Sequence, residues 1–182
     1  MIIDTHTHVV SSDKVKHPLD PGARGWSTEV SNDVEDLITE MDKAGVECAT
    51  LVQPAGTYGL DNIYQCDSAK QYVPRTVAVG ILDPVAPDAA DKLSYWVNEH
   101  GMKGVRLQSQ AEPDDPRCDT LWDRAESLGV PISIGGGGQP EKVDRMRNVA
   151  ARHPNVIFAP DHFAGWSGAE DKATMTTALE SL

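Results

Sequence analysis

Short apolar runs alternate with helix-period segments six times along the 182-residue chain, and no other feature of the sequence restricts its fold as much. The runs fall at 2–9, 49–52, 76–81, 104–107, 130–134 and 156–159. Strands buried on both faces read as continuous apolar runs, and helical crossovers between them imply a parallel sheet with right-handed connections. Units of about thirty residues match the α/β grammar of a (β/α)8 TIM barrel of ~250 residues, with about six of the eight strand-helix units present. A doubly wound sheet is the alternative, but it usually carries a glycine-rich phosphate turn after its first strand. Here that position holds histidines. With 40% hydrophobic residues, residues 1–182 are expected to form a single, incomplete barrel domain.

The helices are marked by their punctuation. Asn32 and Glu35 stand at capping-box spacing, Val34, Leu37, Ile38 and Met41 follow at helical period, and Gly45 closes the segment. A second helix is expected from near Asp61, and a third with Leu93, Trp96 and Val97 on its buried face. The fourth carries Leu121, Trp122, Ala125 and Leu128. The fifth starts at Pro140, a favoured first helical residue, and buries Val143, Met146, Val149 and Ala150. A last helix is expected from near Ala169 to the end. The seventh and eighth units are not found before Leu182, so a truncated barrel with open parallel edges is expected.

The first strand, Ile2-Ile3-Asp4-Thr5-His6-Thr7-His8-Val9, carries the strongest chemical signal. Alternate side chains of a strand share a face, which places Asp4, His6 and His8 together. Two imidazoles one repeat apart can hold a divalent ion, with Asp4 orienting one of them from behind. The alternative is a pair of histidines satisfied by backbone or water. A half-buried strand gains little from two imidazoles and a carboxylate on one face, so the metal or catalytic reading is preferred.

Charge removes several classes of function. Sixteen basic against twenty-eight acidic residues give a formal charge of -12, which repels phosphate backbones and anionic membrane surfaces. Neither a nucleic-acid nor a membrane partner is expected. Cys48, Cys66 and Cys118 are odd in number and widely spaced, which fits small buried side chains in a reducing cytoplasm rather than a disulfide framework. Neither a signal peptide nor an apolar stretch of ~20 residues is visible.

In barrels of this kind chemistry gathers at the carboxyl ends of the strands. The positions there are His6 and His8, Gln53, Asp83, Arg106 with Gln108, and Asp161 with His162. The Ile3-Asp4-Thr5-His6-Thr7-His8 opening resembles that of the amidohydrolase superfamily. Gly104-Val105-Arg106, together with Asp161-His162-Phe163-Ala164-Gly165 after His153-Pro154-Asn155-Val156, is similar to its amidohydrolase-related group of TIM-barrel lactonase-like and decarboxylase-like enzymes.

That resemblance implies metal ligation by His6 and His8, with zinc or another divalent ion, and a metal-free mechanism as the alternative. It implies catalytic roles for His162 and Asp161, and a substrate carboxylate held by Arg106, whose guanidinium suits two parallel hydrogen bonds. Gln53 and Gln108 are the further candidate substrate contacts. The reaction implied is hydrolysis of a lactone of a small carboxylated substrate. The alternatives are a metal-dependent decarboxylation on the same scaffold, or a catalytically incomplete fragment acting only in assembly, including as a homo-oligomer. Two departures stand out. The strand-five histidine of many members is replaced by glycines 135–138, and the aspartate of the last strand has no counterpart before Leu182.

Elsewhere the expectations are structural. His17, His100 and His153 lie beside a proline or near helix carboxyl ends. Lys103 precedes Gly104 and is not read as a carboxylated, metal-bridging lysine. Trp26, Tyr58 and Trp166 either line a pocket or pack within loops, whereas Trp96 and Trp122 fall on helical stripes.

Overall fold

The apolar runs become strands where the sequence places them. The computed structural model describes residues 1–107, 111–134 and 140–161. Among these, strands β1 (Ile3–Thr7), β2 (Cys48–Val52), β3 (Thr76–Leu82), β4 (Gly104–Leu107), β5 (Ile132–Ile134) and β6 (Phe158–Pro160) alternate with helices. The helices are α1 (Val34–Ala44), α2 (Ile63–Gln71), α3 (Ala89–Asn98), α4 (Asp119–Leu128) and α5 (Pro140–Arg152). The chain forms two compact units, Met1–Leu82 with Tyr95–Gly104, and Asp83–Ser94 with Val105–Leu182.

In the first unit β1, β2 and β3 are parallel neighbours in chain order. Leu51, Ile81, Met102 and Val9 are fully buried, as the doubly covered strands of an α/β protein require. Strand β1 departs from ideal alternation. Ile3 and Asp4 face Cys48 and Ala49, yet Thr7 faces Leu51, so three steps of β1 run against two of β2. This irregularity corrects the expectation that Asp4 shares a continuous face with the histidines. Asp4 is exposed, and its carboxylate accepts from the His6 backbone N–H at 3.1 Å.

Helix α1 ends as expected, with Gly45 in the left-handed conformation at φ 69°. Its start differs. Asp33, not Asn32, is the N-cap, and it makes no side-chain capping bond. Its carboxylate instead accepts from the Ser12 N–H at 2.9 Å and the Tyr64 hydroxyl at 3.1 Å, while Asn32 donates to the His8 carbonyl. Tertiary partners have taken both residues away from local capping.

Burial raises the Asp33 carboxyl, but the hydrogen bonds from Ser12 and Tyr64 outweigh it and hold the group below the usual carboxylate range. A lowered folded value means that the contribution is complete above the unfolded value of about 4 and is lost as pH falls through the folded one. Urea midpoints should therefore drop between about pH 4 and pH 3 more steeply for the wild type than for Asp33→Asn. Parallel profiles would refute this role for Asp33.

Asn62, the N-cap of α2, is fully buried and clamps β3, donating to the Ile81 carbonyl at 3.0 Å and accepting from the Ile81 N–H at 2.6 Å. The neighbouring Gly80 leaves room for this clamp. A methyl group there would stand 2.5 Å from Met102 Sδ and 2.6 Å from the Asn62 amide. Gly80→Ala should cost about 1–3 kcal/mol by overpacking, measured by urea denaturation. An unchanged midpoint would show that Met102 and Asn62 yield freely.

In the second unit β4, β5 and β6 are also parallel in chain order. Trp122, Leu121, Val105 and Ile132 are fully buried. The Trp122 ring lies 5.7 Å from that of Phe158, and its indole N–H donates to the Pro113 carbonyl at 3.0 Å, so its polar atom is satisfied. Met146 and Val149 of α5 are buried, but Ala150 is exposed, and the buried stripe of α5 is narrower there than its period suggests. Burial pushes the Cys66 thiol up to about 12 and the Cys118 thiol to about 11, as expected of inert core side chains. Val143's side chain and the helix expected from Ala169 lie outside the described residues.

Candidate active-site residues

His6 and His8 come together at the carboxyl end of β1. Their ring centroids are 4.9 Å apart in a T-shaped arrangement, with the His6 Nε2 shielded from solvent. His8 Nδ1 lies 2.7 Å from the Val52 carbonyl. A carbonyl can only accept, so the neutral ring carries its proton on Nδ1 and its lone pair on Nε2. This is the support that ligating histidines commonly show. The Trp26 ring, half-exposed, lies 6.0 Å from that of His8.

The chain after His8 is buried yet leaves the sheet, so its backbone needs side-chain partners. Asn32 donates to the His8 carbonyl at 2.9 Å and Gln65 to the Val9 carbonyl at 3.1 Å, while the Ser11 N–H donates to the Tyr58 hydroxyl at 2.8 Å. Tyr58 is therefore a buried loop anchor. Burial raises its phenol above the ordinary value.

Gln53, at the end of β2, is fully buried. Its amide donates to the Gly59 carbonyl at 2.6 Å, and its Oε1 has no hydrogen-bond partner among the described residues. The side chain thus secures the loop after β2 and keeps one buried acceptor. Asp83, after β3, accepts from the Val85 N–H at 3.1 Å, a local turn contact.

In the second unit Arg106 stands opposite Ser133 across the β4–β5 pairing, so both project from the same face. Asp161, directly after β6, joins them. Its Oδ1 accepts from the Ser133 hydroxyl at 2.5 Å, and its Oδ2 lies 3.2 Å from Arg106 Nε. The carboxylate is 8% exposed and the guanidinium 19%, so the pair is charge-assisted and largely withdrawn from water. Ser133 was missed by the sequence reading. Its signal was faint: the one hydroxyl among the apolar residues of strand five. Gln108, His162 and Trp166 lie outside the described residues, as do glycines 135–138.

The other histidines differ in detail from expectation. The His17 ring lies 4.7 Å from that of Tyr64 at a tilt of 50°, and His100 contacts the Tyr95 hydroxyl at 2.8 Å beside Trp96. Lys103 is exposed and lies before β4. His153 does more than complement a helix end. It faces Asp119 and Asp123 with its two nitrogens, and no spacing in the sequence joined these three residues.

Comparison with known proteins identifies the fold and the family. The chain resembles in structure a probable 2-pyrone-4,6-dicarboxylic acid hydrolase from Acinetobacter baumannii, solved with citric acid bound, at 19% identity and TM-score 0.75 over 100% of this chain and 66% of that one. A TIM-barrel protein from Bordetella bronchiseptica matches at 18% identity and TM-score 0.67, over 98% of this chain and 72% of that one. A 5-carboxyvanillate decarboxylase from Novosphingobium aromaticivorans, solved with manganese and a hydroxy-methoxy-nitrobenzoic acid, matches at 16% identity and TM-score 0.65, over 91% and 66%. These likenesses establish a TIM-barrel type of fold. The chain spans slightly less than two thirds of the length of the first of them. No functionally curated protein matches the sequence. The sequence profile of the amidohydrolase family matches residues 3–181, and the chain belongs to that family.

Proposed function

We propose that this chain carries the site residues of a metal-dependent hydrolase that opens a lactone of a small carboxylated substrate. The observation that carries the reading is the His6–His8 pair, two imidazoles 4.9 Å apart with the His8 proton held on Nδ1 by the Val52 carbonyl, so that the Nε2 lone pair is the one suited to a cation. His6 and His8 would hold the divalent ion; imidazole nitrogen suits zinc, and manganese would draw more of its ligands from oxygen. Such an ion, when bound, polarises a carbonyl and lowers the pKa of a bound water.

The remaining steps belong to the protein. Arg106, whose Nε faces Asp161, takes the substrate carboxylate through its terminal N–H groups. A second carboxylate on the guanidinium weakens the hold on Asp161, whose Oδ2 then accepts a proton from the attacking water. His162 gives its own proton to the leaving alkoxide, and the proton taken up by Asp161 then passes through solvent to His162, which restores both groups. Gln53 offers its buried Oε1 to a substrate hydroxyl, and Gln108 contacts the carboxylate. The dicarboxylate hydrolase neighbour and its bound citric acid are consistent with a carboxylated ligand.

A decarboxylase is the second reading, favoured by the manganese-bound decarboxylase neighbour. Full-length protein should release acid from a carboxylated lactone in a pH-stat, with zinc or manganese added. Release of carbon dioxide from an aromatic acid without lactone turnover would select the decarboxylase, and neither activity would remove both readings.

A further inference from the structure

The buried histidine after α5 faces three carboxylates of α4, in a part of the second unit that the proposed chemistry does not use. Asp119, Asp123 and Glu126 are spaced four and three residues apart, which places them along one face of the helix. His153, 4% exposed, stands against that face. Its Nε2 lies 3.2 Å from Asp119 Oδ1 and its Nδ1 3.0 Å from Asp123 Oδ1. One donor atom from each of Asp123, Glu126 and His153 lies within 4.8 Å of the other two.

We propose that Asp123, Glu126 and His153 form a second divalent-metal site, with Asp119 as the carboxylate that orients the imidazole. The two ring nitrogens have different environments. Arg152 already compensates Asp119, with Nη2 and Nε at 3.0 and 3.2 Å from its Oδ1. The Nε2–H of His153 donates to the same oxygen, which leaves the lone pair of the neutral ring on Nδ1, shielded from solvent and without a hydrogen-bond donor among the described residues. That lone pair faces a carboxylate oxygen, and two facing lone pairs repel unless a cation joins them. Neither Asp123 nor Glu126 has a Lys or Arg partner among the described residues, so two negative charges surround the open nitrogen.

The geometry and chemistry suit zinc. Two ligand atoms each 2.0–2.1 Å from a tetrahedral ion lie roughly 3.3 Å apart, close to the observed 3.0 Å between Nδ1 and Asp123 Oδ1. Glu126 is held beside them because its Oε1 accepts the Asn155 N–H at 2.6 Å, and its second oxygen is available. The carboxylate–histidine pair of Asp119 and His153 is the supporting arrangement ordinary for ligating imidazoles. Asp123 is 72% exposed, so the ion can enter from solvent and retain a water.

The test is zinc stoichiometry of the full chain by equilibrium dialysis with zinc alone, beside an Asp123→Asn/Glu126→Gln variant. The surface position of Asp123 spares the fold, which His153→Ala would threaten. The wild type should bind about one equivalent more than the double variant, whatever the strand-one histidines bind, and Asp119→Asn should weaken that equivalent by about 10–100-fold. Cobalt should give a visible absorption band on the wild type that the double variant reduces. Equal stoichiometry in both proteins overturns the proposal and leaves His153 as a purely structural contact to Asp119 and Asp123.

Discussion

His8→Ala is expected to abolish lactone turnover and to remove the ion held at the end of β1. Losing a supporting hydrogen bond to a ligating histidine already costs about 10–100-fold in affinity or activity, and losing the ligand itself should exceed that. The effect should be chemical rather than structural. The His8 ring donates to the Val52 carbonyl, whereas the segment after it is anchored independently by Asn32, Gln65 and Tyr58. Metal content, kcat/KM and near-ultraviolet circular dichroism should be measured together. A variant with a native spectrum and wild-type turnover would remove His8 from the site. Asn32→Ala, which deletes the donor to the His8 carbonyl, should give a smaller loss of the same kind.

Removing Arg106 should produce the largest stability change. The Arg106–Asp161 pair is mostly buried, and taking away the guanidinium removes a charge that compensates the buried carboxylate. Such losses run to 3–5 kcal/mol; Arg106→Met should fall at about 3 kcal/mol, since the guanidinium keeps partial access to water. Adding Asp161→Leu should recover much of the loss, because an apolar pair carries no desolvation penalty. Arg106→Lys addresses binding instead. It keeps the charge but loses the fork, so KM for a carboxylated lactone should rise more than kcat falls. If Arg106→Met unfolds at the wild-type urea concentration, the pair is solvated in solution and its proposed role in holding a carboxylate loses its basis.

The site was partly legible because some of its chemistry is local. His6 and His8 lie two residues apart on one strand, so the period of the strand alone brings them together. The position of Arg106 near the end of β4 follows from the same pattern. Asp4 misled for an equally local reason, since nothing in its neighbourhood announces that β1 takes three steps against two of β2. The capping-box pattern at Asn32 and Glu35 also satisfied its rule, and tertiary partners overrode it. Ser133 and the Asp119–Asp123–His153 group could not be found this way. Ser133 is separated from Asp161, and His153 from the α4 carboxylates, by more than two dozen residues, and these groups meet only when strands or helices pack.

The sequence by itself determined the alternation of strands and helices, the parallel sense of the strands, the family and the imidazole pair. These depend on period, burial and short spacing, which act within a few residues of the chain. The tertiary structure alone decided which donor meets which acceptor. It put the His8 proton on Nδ1 through the Val52 carbonyl, committed the Gln53 amide to Gly59, paired Arg106 with Asp161, and set His153 against α4. Hydrogen bonds and ion pairs act over about 3 Å, and that proximity between distant residues exists only after the apolar faces have packed.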